Sequence, residues 1–216
     1  MQSCCAKKIR EYKGMDVHET LRLLPVRDEQ SNLKAYLCPI TCRMMEDYPI
    51  CVEVLSKWRK DNPTVSNNCF EVTNQRTKEW VFNVVLADEK KILFLILDTH
   101  GSMIGQMGLC NIADQDKCAD IYAVIKGKKD AEKGIMELAL KTLLRWANSE
   151  LDIQKFFLTT QQDNLRAIGL YQKVGFCVIR NIPLKKMQLE NEVKWVETEE
   201  LVPEKYDVRM EYKGKL

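Results

Sequence analysis

The segment between residues 162 and 176 reads Gln162-Asp-Asn-Leu-Arg-Ala-Ile-Gly-Leu-Tyr-Gln-Lys-Val-Gly-Phe176. Its pattern predicts a helix that begins near Asn164 and is ended by Gly175. Asn164 and Tyr171 are seven residues, or two helical turns, apart, so they share one face with Ala167. A small apolar face with a polar group at each end can line a narrow slot for a ligand. The alternative is a helix cap and a packed tyrosine.

A strand, a polar loop and an amphipathic helix precede this segment. Residues 120–125 are rich in β-forming side chains, residues 126–133 are polar, and apolar residues then recur every three or four positions to about residue 148. A further strand at 155–160 makes the unit a parallel crossover. The helix N-terminus carries free N–H groups and positive dipole charge, and Gly134 allows close approach, so this join suits phosphate. The alternative is that this connection between strand and helix binds no ligand.

Together, the two segments resemble the acetyl-CoA-binding half of the GNAT superfamily. Its recurrent pattern Asn-x-x-Ala-x-x-x-Tyr-x-x-x-Gly-Phe is matched at Asn164, Ala167, Tyr171, Gly175 and Phe176. The resemblance implies an α/β fold with a mixed, strongly twisted sheet of about 6–7 strands flanked by helices, and acetyl-CoA as co-substrate without a metal. Pantetheine would lie between splayed strands 120–125 and 155–160. The implied cofactor-binding residues are Val124, Ile125, Lys126, Ala131, Glu132, Lys133, Gly134, Ile135, Met136, Asn164 and Ala167.

The phosphate loop departs from the family pattern. The usual Gln/Arg-x-x-Gly-x-Gly/Ala reads Ala131-Glu-Lys-Gly-Ile-Met136 here, so only Gly134 is kept. Backbone amides are the donors in this loop, and they remain available. The lysines of the loop either add positive charge for the phosphates or form a solvated basic surface; they are Lys126, Lys128, Lys129 and Lys133.

Acetyl transfer to an amine needs an oxyanion donor, loss of the amine proton and a stabilised thiolate. The resemblance implies that an amide near Val124 binds the thioester oxygen and that Tyr171 acts as general acid for the thiolate. Asp120, at the start of the strand, is the candidate base; the alternative is a structural strand-end charge, with water carrying the proton.

The acceptor half resembles bacterial GNAT enzymes that acetylate nucleotide-linked amino sugars. Trp58 is predicted to stack on the acceptor and Arg59 to bind its diphosphate; a packed tryptophan beside an exposed arginine is the alternative. A histidine often found in those enzymes is replaced by Gln106. Acetylation of a protein N-terminus or another small amine, and a non-catalytic acyl-CoA sensor, are the other hypotheses.

The whole chain predicts one cytoplasmic domain, residues 34–216, behind an N-terminal extension, residues 1–33. Its formal charge of +2 argues against a nucleic-acid partner, and no run approaches the roughly 18 apolar residues of a membrane span. The nine cysteines are scattered without a CxxC pair, which fits a reducing compartment better than a metal site. The expected partner is a small-molecule amine, with a sugar nucleotide first; a homodimer is left open.

Overall fold

The computed structural model describes residues 4–14, 22–190 and 192–215. Residues 1–3 and 15–21 of the predicted extension lie outside the described residues, as do 191 and 216. The helices are α1 Cys4–Tyr12, α2 Cys42–Asp47, α3 Pro49–Asp61, α4 Asn74–Trp80, α5 Ile135–Leu151 and α6 Leu165–Val174. The strands are β1 Leu24–Arg27, β2 Leu33–Pro39, β3 Asn68–Cys69, β4 Ile92–Asp98, β5 Met103–Ala113, β6 Cys118–Lys126, β7 Lys155–Gln161, β8 Phe176–Gln188, β9 Val193–Glu197 and β10 Lys205–Tyr212.

All of these strands join one mixed sheet in the order β1-β2-β4-β5-β6-β7-β10-β8-β9-β3. The predicted fold class is confirmed, but the ten strands within the described ranges exceed the expected 6–7. Two of the additional strands carry weak sequence signals. β1 contains Pro25, which a strand tolerates at the edge of a sheet, where β1 lies. β3 has only two residues, Asn68 and Cys69, paired with β9.

The strand β4 divides the core into two layers. Ile92, Phe94 and Ile96 belong to the cluster that packs with α5, whereas Leu93 and Leu95 belong to the cluster that packs with α3 and the end of α4. Alternate side chains of a strand point to opposite faces, so a continuous apolar run is covered on both.

The described part of the predicted extension joins the same core. Ile9 is fully buried, and the ring of Tyr12 lies edge-on to Trp146 of α5 at 4.9 Å between centroids. Lys13 is also buried, and its Nζ donates to the carbonyls of Val85 at 2.7 Å and Asp88 at 2.6 Å. Burial lowers the pKa of this amine to about 8. The amine thus donates to carbonyls at the end of the π-helical continuation of α4, residues 81–86, and in the turn that follows.

The crossover β6–α5–β7 creates the gap on which the site depends. β6 and β7 pair in parallel only from Cys118 with Lys155 to Asp120 with Phe157. The carboxyl halves of the two strands therefore separate, as the family resemblance implies. β10 lies on the other side of β7 and pairs Asp207 with Gln161. Side chains from β6, β7 and β10 can thus reach one space.

Candidate active site

A cleft of about 670 Å³ lies between the N-terminus of α5 and α6. Most of the predicted cofactor residues line this α5–α6 cleft: Val124, Ile125, Lys126, Ala131, Glu132, Lys133, Gly134, Met136, Asn164 and Ala167. Ile135 does not line it, because its side chain is 2% exposed and belongs to the core. Ile135 directly follows Gly134 in the chain, but its side chain packs into the core instead of lining the cleft.

Gly134 leaves open space in the lining of the cleft. Its φ is +89°, a left-handed conformation that favours glycine, and a Cβ built there would meet no atom within 4 Å. Glu132 would repel a phosphate if it were free, but it forms an ion pair of 2.9 Å with Lys34. Lys126 is also engaged, since its Nζ donates to the carbonyl of Ala131 at 2.8 Å. Lys129 and Lys133 line the cleft as well.

A β-bulge opens the backbone of β6 beside this cleft. Gln106 pairs with Ile125 and Gly108 with Tyr122, so two residues, Ala123 and Val124, stand opposite one. A bulge leaves its extra residue outside the hydrogen-bond ladder. Ala123 has a φ of +51°, and its carbonyl accepts from Gln106 Nε2 at 3.2 Å. The predicted oxyanion donor near Val124 therefore lies where the ladder is interrupted.

In the helix α6, the helix cap and the packed tyrosine of one interpretation occur together with the cleft-lining face of the other. Asn164 caps the helix, with its Oδ1 accepting from the amide of Ala167 at 3.1 Å, and it also lines the α5–α6 cleft. Tyr171 packs edge-on to Phe176 with 6.1 Å between ring centroids and lines the same cleft. Burial raises the pKa of the Tyr171 phenol to about 12. The side chain is therefore a wall of the cleft, and its phenol is neutral at physiological pH.

Asp120 is held in an ion pair away from these residues. Its Oδ1 contacts Arg209 Nη2 at 2.6 Å, and its Oδ2 accepts from Asn111 Nδ2 at 2.8 Å. It lies in the part of β6 that pairs with β7, before the strands separate. The geometry agrees with the alternative of a structural strand-end charge, and the role of Asp120 as a catalytic base stays a prediction.

Trp58 and Arg59 are both engaged within the protein. Trp58 is 5% exposed, and its indole lies against Gly127, where a Cβ would be only 1.9 Å from Cε2. The Arg59 guanidinium donates to the carbonyls of Asn62 at 3.0 Å, Pro63 at 2.9 Å and Asn68 at 2.7 Å. Trp58 is therefore packed inside the protein, and three backbone carbonyls engage Arg59, which also lines a cleft beside β6. The predicted acceptor-binding roles of the two residues stay predictions. Trp58 supports the loop into α5, and Arg59 fixes the loop after α3.

A second cleft, of about 360 Å³, lies between β6 and α4. Its charged lining residues are Arg59, Arg76 and Lys91, and no carboxylate occurs among the described residues that line it. Arg76 lies over the ring of Phe70 at 4.4 Å. This β6–α4 cleft is therefore aromatic and positively charged.

A central cavity of about 160 Å³ shares lining residues with both clefts. Tyr171 and Val124 also line the α5–α6 cleft, and Tyr122 also lines the β6–α4 cleft. The cavity contains Asp207, which sequence reasoning missed. Only the sheet order places β10 beside β7. In the sequence, Asp207 is recognisable only as an acid between Lys205 and Arg209, at alternate positions that lie on one face of a strand.

Comparisons with known proteins agree with this architecture. Residues 46–177 match the sequence model of a family described as acetyltransferase (GNAT) domain. An N-acetyltransferase 9-like protein of Caenorhabditis briggsae is 24% identical over 151 residues, 62% of this chain and 74% of the relative. Its counterpart from Caenorhabditis elegans is 27% identical over 104 residues, 41% of this chain and 52% of the relative.

Two solved structures share the fold. RimL, a ribosomal-protein alpha-N-acetyltransferase, aligns with a TM-score of 0.63 at 18% identity, over 89% of this chain and 94% of its own. A dodecameric spermidine N-acetyltransferase from Vibrio cholerae aligns with a TM-score of 0.55 at 15% identity, over 76% and 88%. Within the described ranges, no helix is long and apolar enough to cross a membrane. No cluster of metal-ligating side chains occurs in the same part of the chain.

Proposed function

Because this chain belongs to the GNAT acetyltransferase family, we propose that it transfers the acetyl group of acetyl-CoA to a primary amine in the central cavity. The observation that carries the proposal is the juxtaposition of Tyr171 with the β6 bulge at Val124. Both line the central cavity, which shares lining residues with the two clefts. One cleft then receives the donor and the other the acceptor, with the reacting atoms between them.

The residues of the α5–α6 cleft fit acetyl-CoA. The space beside Gly134 is open, and the N-terminus of α5 supplies amides and positive dipole charge for the pyrophosphate. When bound, the co-substrate supplies the thioester that the amine attacks. Val124, at the bulge, offers its amide to the thioester oxygen, and Tyr171 donates its phenolic proton to the departing sulfur.

The acceptor cleft favours an amine that also carries negative charge. Spermidine is a polycation, so a lining with Arg76 and Lys91 and without carboxylates among its described residues disfavours it. A nucleotide-linked amino sugar and the α-amine of an acidic peptide both meet the charge condition. Trp58 and Arg59, predicted for the nucleotide, are engaged elsewhere. We therefore place the peptide α-amine first, in line with the alpha-amine substrate of RimL.

An amine panel tests the proposed acceptor. Acetyl-CoA is incubated with an acidic peptide, the same peptide with its acids amidated, a nucleotide-linked amino sugar and spermidine, and products are identified by mass. We expect the acidic peptide to be acetylated at its α-amine with the highest kcat/KM. Preference for the sugar nucleotide would favour the alternative acceptor. Binding of CoA without acetylation of any amine would contradict the enzymatic proposal and favour a sensor.

Substitution of Gly134 by Trp tests the donor cleft. We expect the indole to occupy the opening and weaken CoA binding about tenfold or more, equal to about 1.4 kcal/mol, by calorimetry. The left-handed φ of +89° adds a folding cost of about 1–2 kcal/mol.

Gly101→Trp is the matched control for this variant. Gly101 has a φ of +82°, equally open surroundings and a place in the turn between β4 and β5. It should show the same loss of stability with unchanged CoA affinity. Equal CoA affinities in folded Gly134→Trp and Gly101→Trp proteins would contradict the assignment of this cleft to CoA.

A further inference from the structure

The central cavity contains a buried carboxylate that the proposed mechanism does not use. Asp207 is 3% exposed, and its Oδ1 has no hydrogen-bond partner among the described residues. The residue lines the cavity together with Tyr171 and Val124. A buried acceptor without a partner costs free energy in the folded protein. The arrangement indicates that the partner is part of a ligand that enters the cavity.

The other oxygen of this carboxylate is fixed by the protein. Asp207 Oδ2 accepts a hydrogen bond of 2.6 Å from Asn67 Nδ2. Asn67 is itself held, since its backbone carbonyl accepts from the amide of Trp195 at 2.9 Å and its Oδ1 accepts from Lys205 Nζ at 3.4 Å. These contacts orient the carboxylate and leave Oδ1 as the oxygen without a protein partner.

We propose that Asp207 binds the acceptor amine through Oδ1 and takes its proton, an inference that rests on the proposed function. An ammonium group is the natural partner of a buried carboxylate, because an ionic hydrogen bond offsets the burial of both charges. The hydroxyl oxygen of Tyr122 is a second buried oxygen without a hydrogen-bond partner in the described ranges. Tyr122 lines the same cavity as Asp207. The two oxygens can orient the nitrogen toward the bulge of β6.

The proton balance of the reaction gives each group one task. Asp207 takes one proton from the ammonium, and the freed nitrogen pair forms the C–N bond with the acetyl carbon. The C–S electron pair leaves with sulfur, which takes the phenolic proton of Tyr171. The second nitrogen proton returns to the phenolate, and Asp207 releases its proton to water. The products are the acetylated amine, CoA thiol and one proton.

Two CoA thioethers test this inference without knowledge of the acceptor. S-(2-aminoethyl)-CoA carries an ammonium group close to the sulfur. S-propyl-CoA carries a neutral substituent of similar size at the same place. Calorimetry should show that the wild-type protein binds the aminoethyl compound about tenfold more tightly, the equivalent of one charge-assisted hydrogen bond. Equal wild-type affinities would overturn the role of Asp207 and leave the CoA site intact. Failure to bind either compound would contradict the proposed function instead.

Three variants assign the preference to one carboxylate. Asp207→Asn should bind both thioethers equally and, with the best amine of the panel, lose roughly 10²-fold in kcat/KM. Glu211→Gln, the same chemical change further along β10, should keep the preference and the activity. Asp120→Asn should keep the preference, because Arg209 and Asn111 already engage that carboxylate. Loss of the preference in Asp120→Asn with its retention in Asp207→Asn would overturn the inference.

Discussion

Replacement of Tyr171 by Phe is expected to lower kcat roughly 10²-fold or more, the usual range for the loss of a general acid. The change removes only the hydroxyl, and the edge-on contact of the ring with Phe176 remains. The proton is donated as the C–S bond breaks, so the lost interaction belongs to the transition state and CoA affinity should change little. Single-turnover and steady-state kinetics with the best amine of the panel measure the effect.

The pKa of Tyr171 sets the pH range of this donation. Burial disfavours the phenolate and raises the pKa to about 12, so the phenol stays protonated throughout the neutral and mildly alkaline range. We therefore expect no fall of kcat from ionisation of Tyr171 below about pH 10, the reference pKa of tyrosine. The contribution of Tyr171 to the free energy of unfolding should decrease only above that pH, because the unfolded chain then ionises this tyrosine while the folded protein does not.

Tyr212→Phe is the matched control for the loss of a hydroxyl. Tyr212 contacts Phe176 from another side, and its hydroxyl donates to the carbonyl of Lys215 at 2.9 Å, away from the clefts. This variant should keep the wild-type kcat. Unchanged kcat in Tyr171→Phe, with the chemical step shown to be rate-limiting, would mean that Tyr171 is only a wall of the cleft.

Local patterns predicted the elements that bring the donor cleft together. The spacing of Asn164 and Tyr171 and the recurrence of apolar residues along α5 each depend on a regular period, which neighbouring residues determine. Gly134 was recognisable because few residues adopt its left-handed backbone. These features are decided within a few residues, so a single sequence contains them.

The acceptor side could not be predicted in the same way. Trp58 and Arg59 have side chains that suit a ligand and a packed interior equally, and only their tertiary neighbours decide between the two. Asp120 and Asp207 are both acids on strands. Arg209 contacts the first at 2.6 Å, whereas the Oδ1 of the second has no hydrogen-bond partner in the described part of the chain. That difference arises from the order β7-β10-β8 in the sheet, which no local pattern encodes.

The contact between Trp58 and Gly127 leads to the second large effect. Trp58→Ala removes a side chain that is only 5% exposed, and should lower the free energy of unfolding by about 3–5 kcal/mol. Gly127→Ala should cost about 1–3 kcal/mol, because its Cβ would lie 1.9 Å from the indole Cε2. Urea unfolding measures both. The Gly127→Ala variant should also bind CoA more weakly, because residue 127 lies at the start of the loop that leads into α5.

The double variant separates this packing role from acceptor binding. With the indole removed, the methyl group at position 127 has space, so Trp58→Ala combined with Gly127→Ala should be less destabilised than the sum of the single changes, by about 0.5–3 kcal/mol. If Trp58 instead stacks on an acceptor, the two changes would be additive in stability. Trp58→Ala would then raise the KM for the acceptor with little loss of stability. Only the non-additive result agrees with a tryptophan that supports the donor loop from within the core.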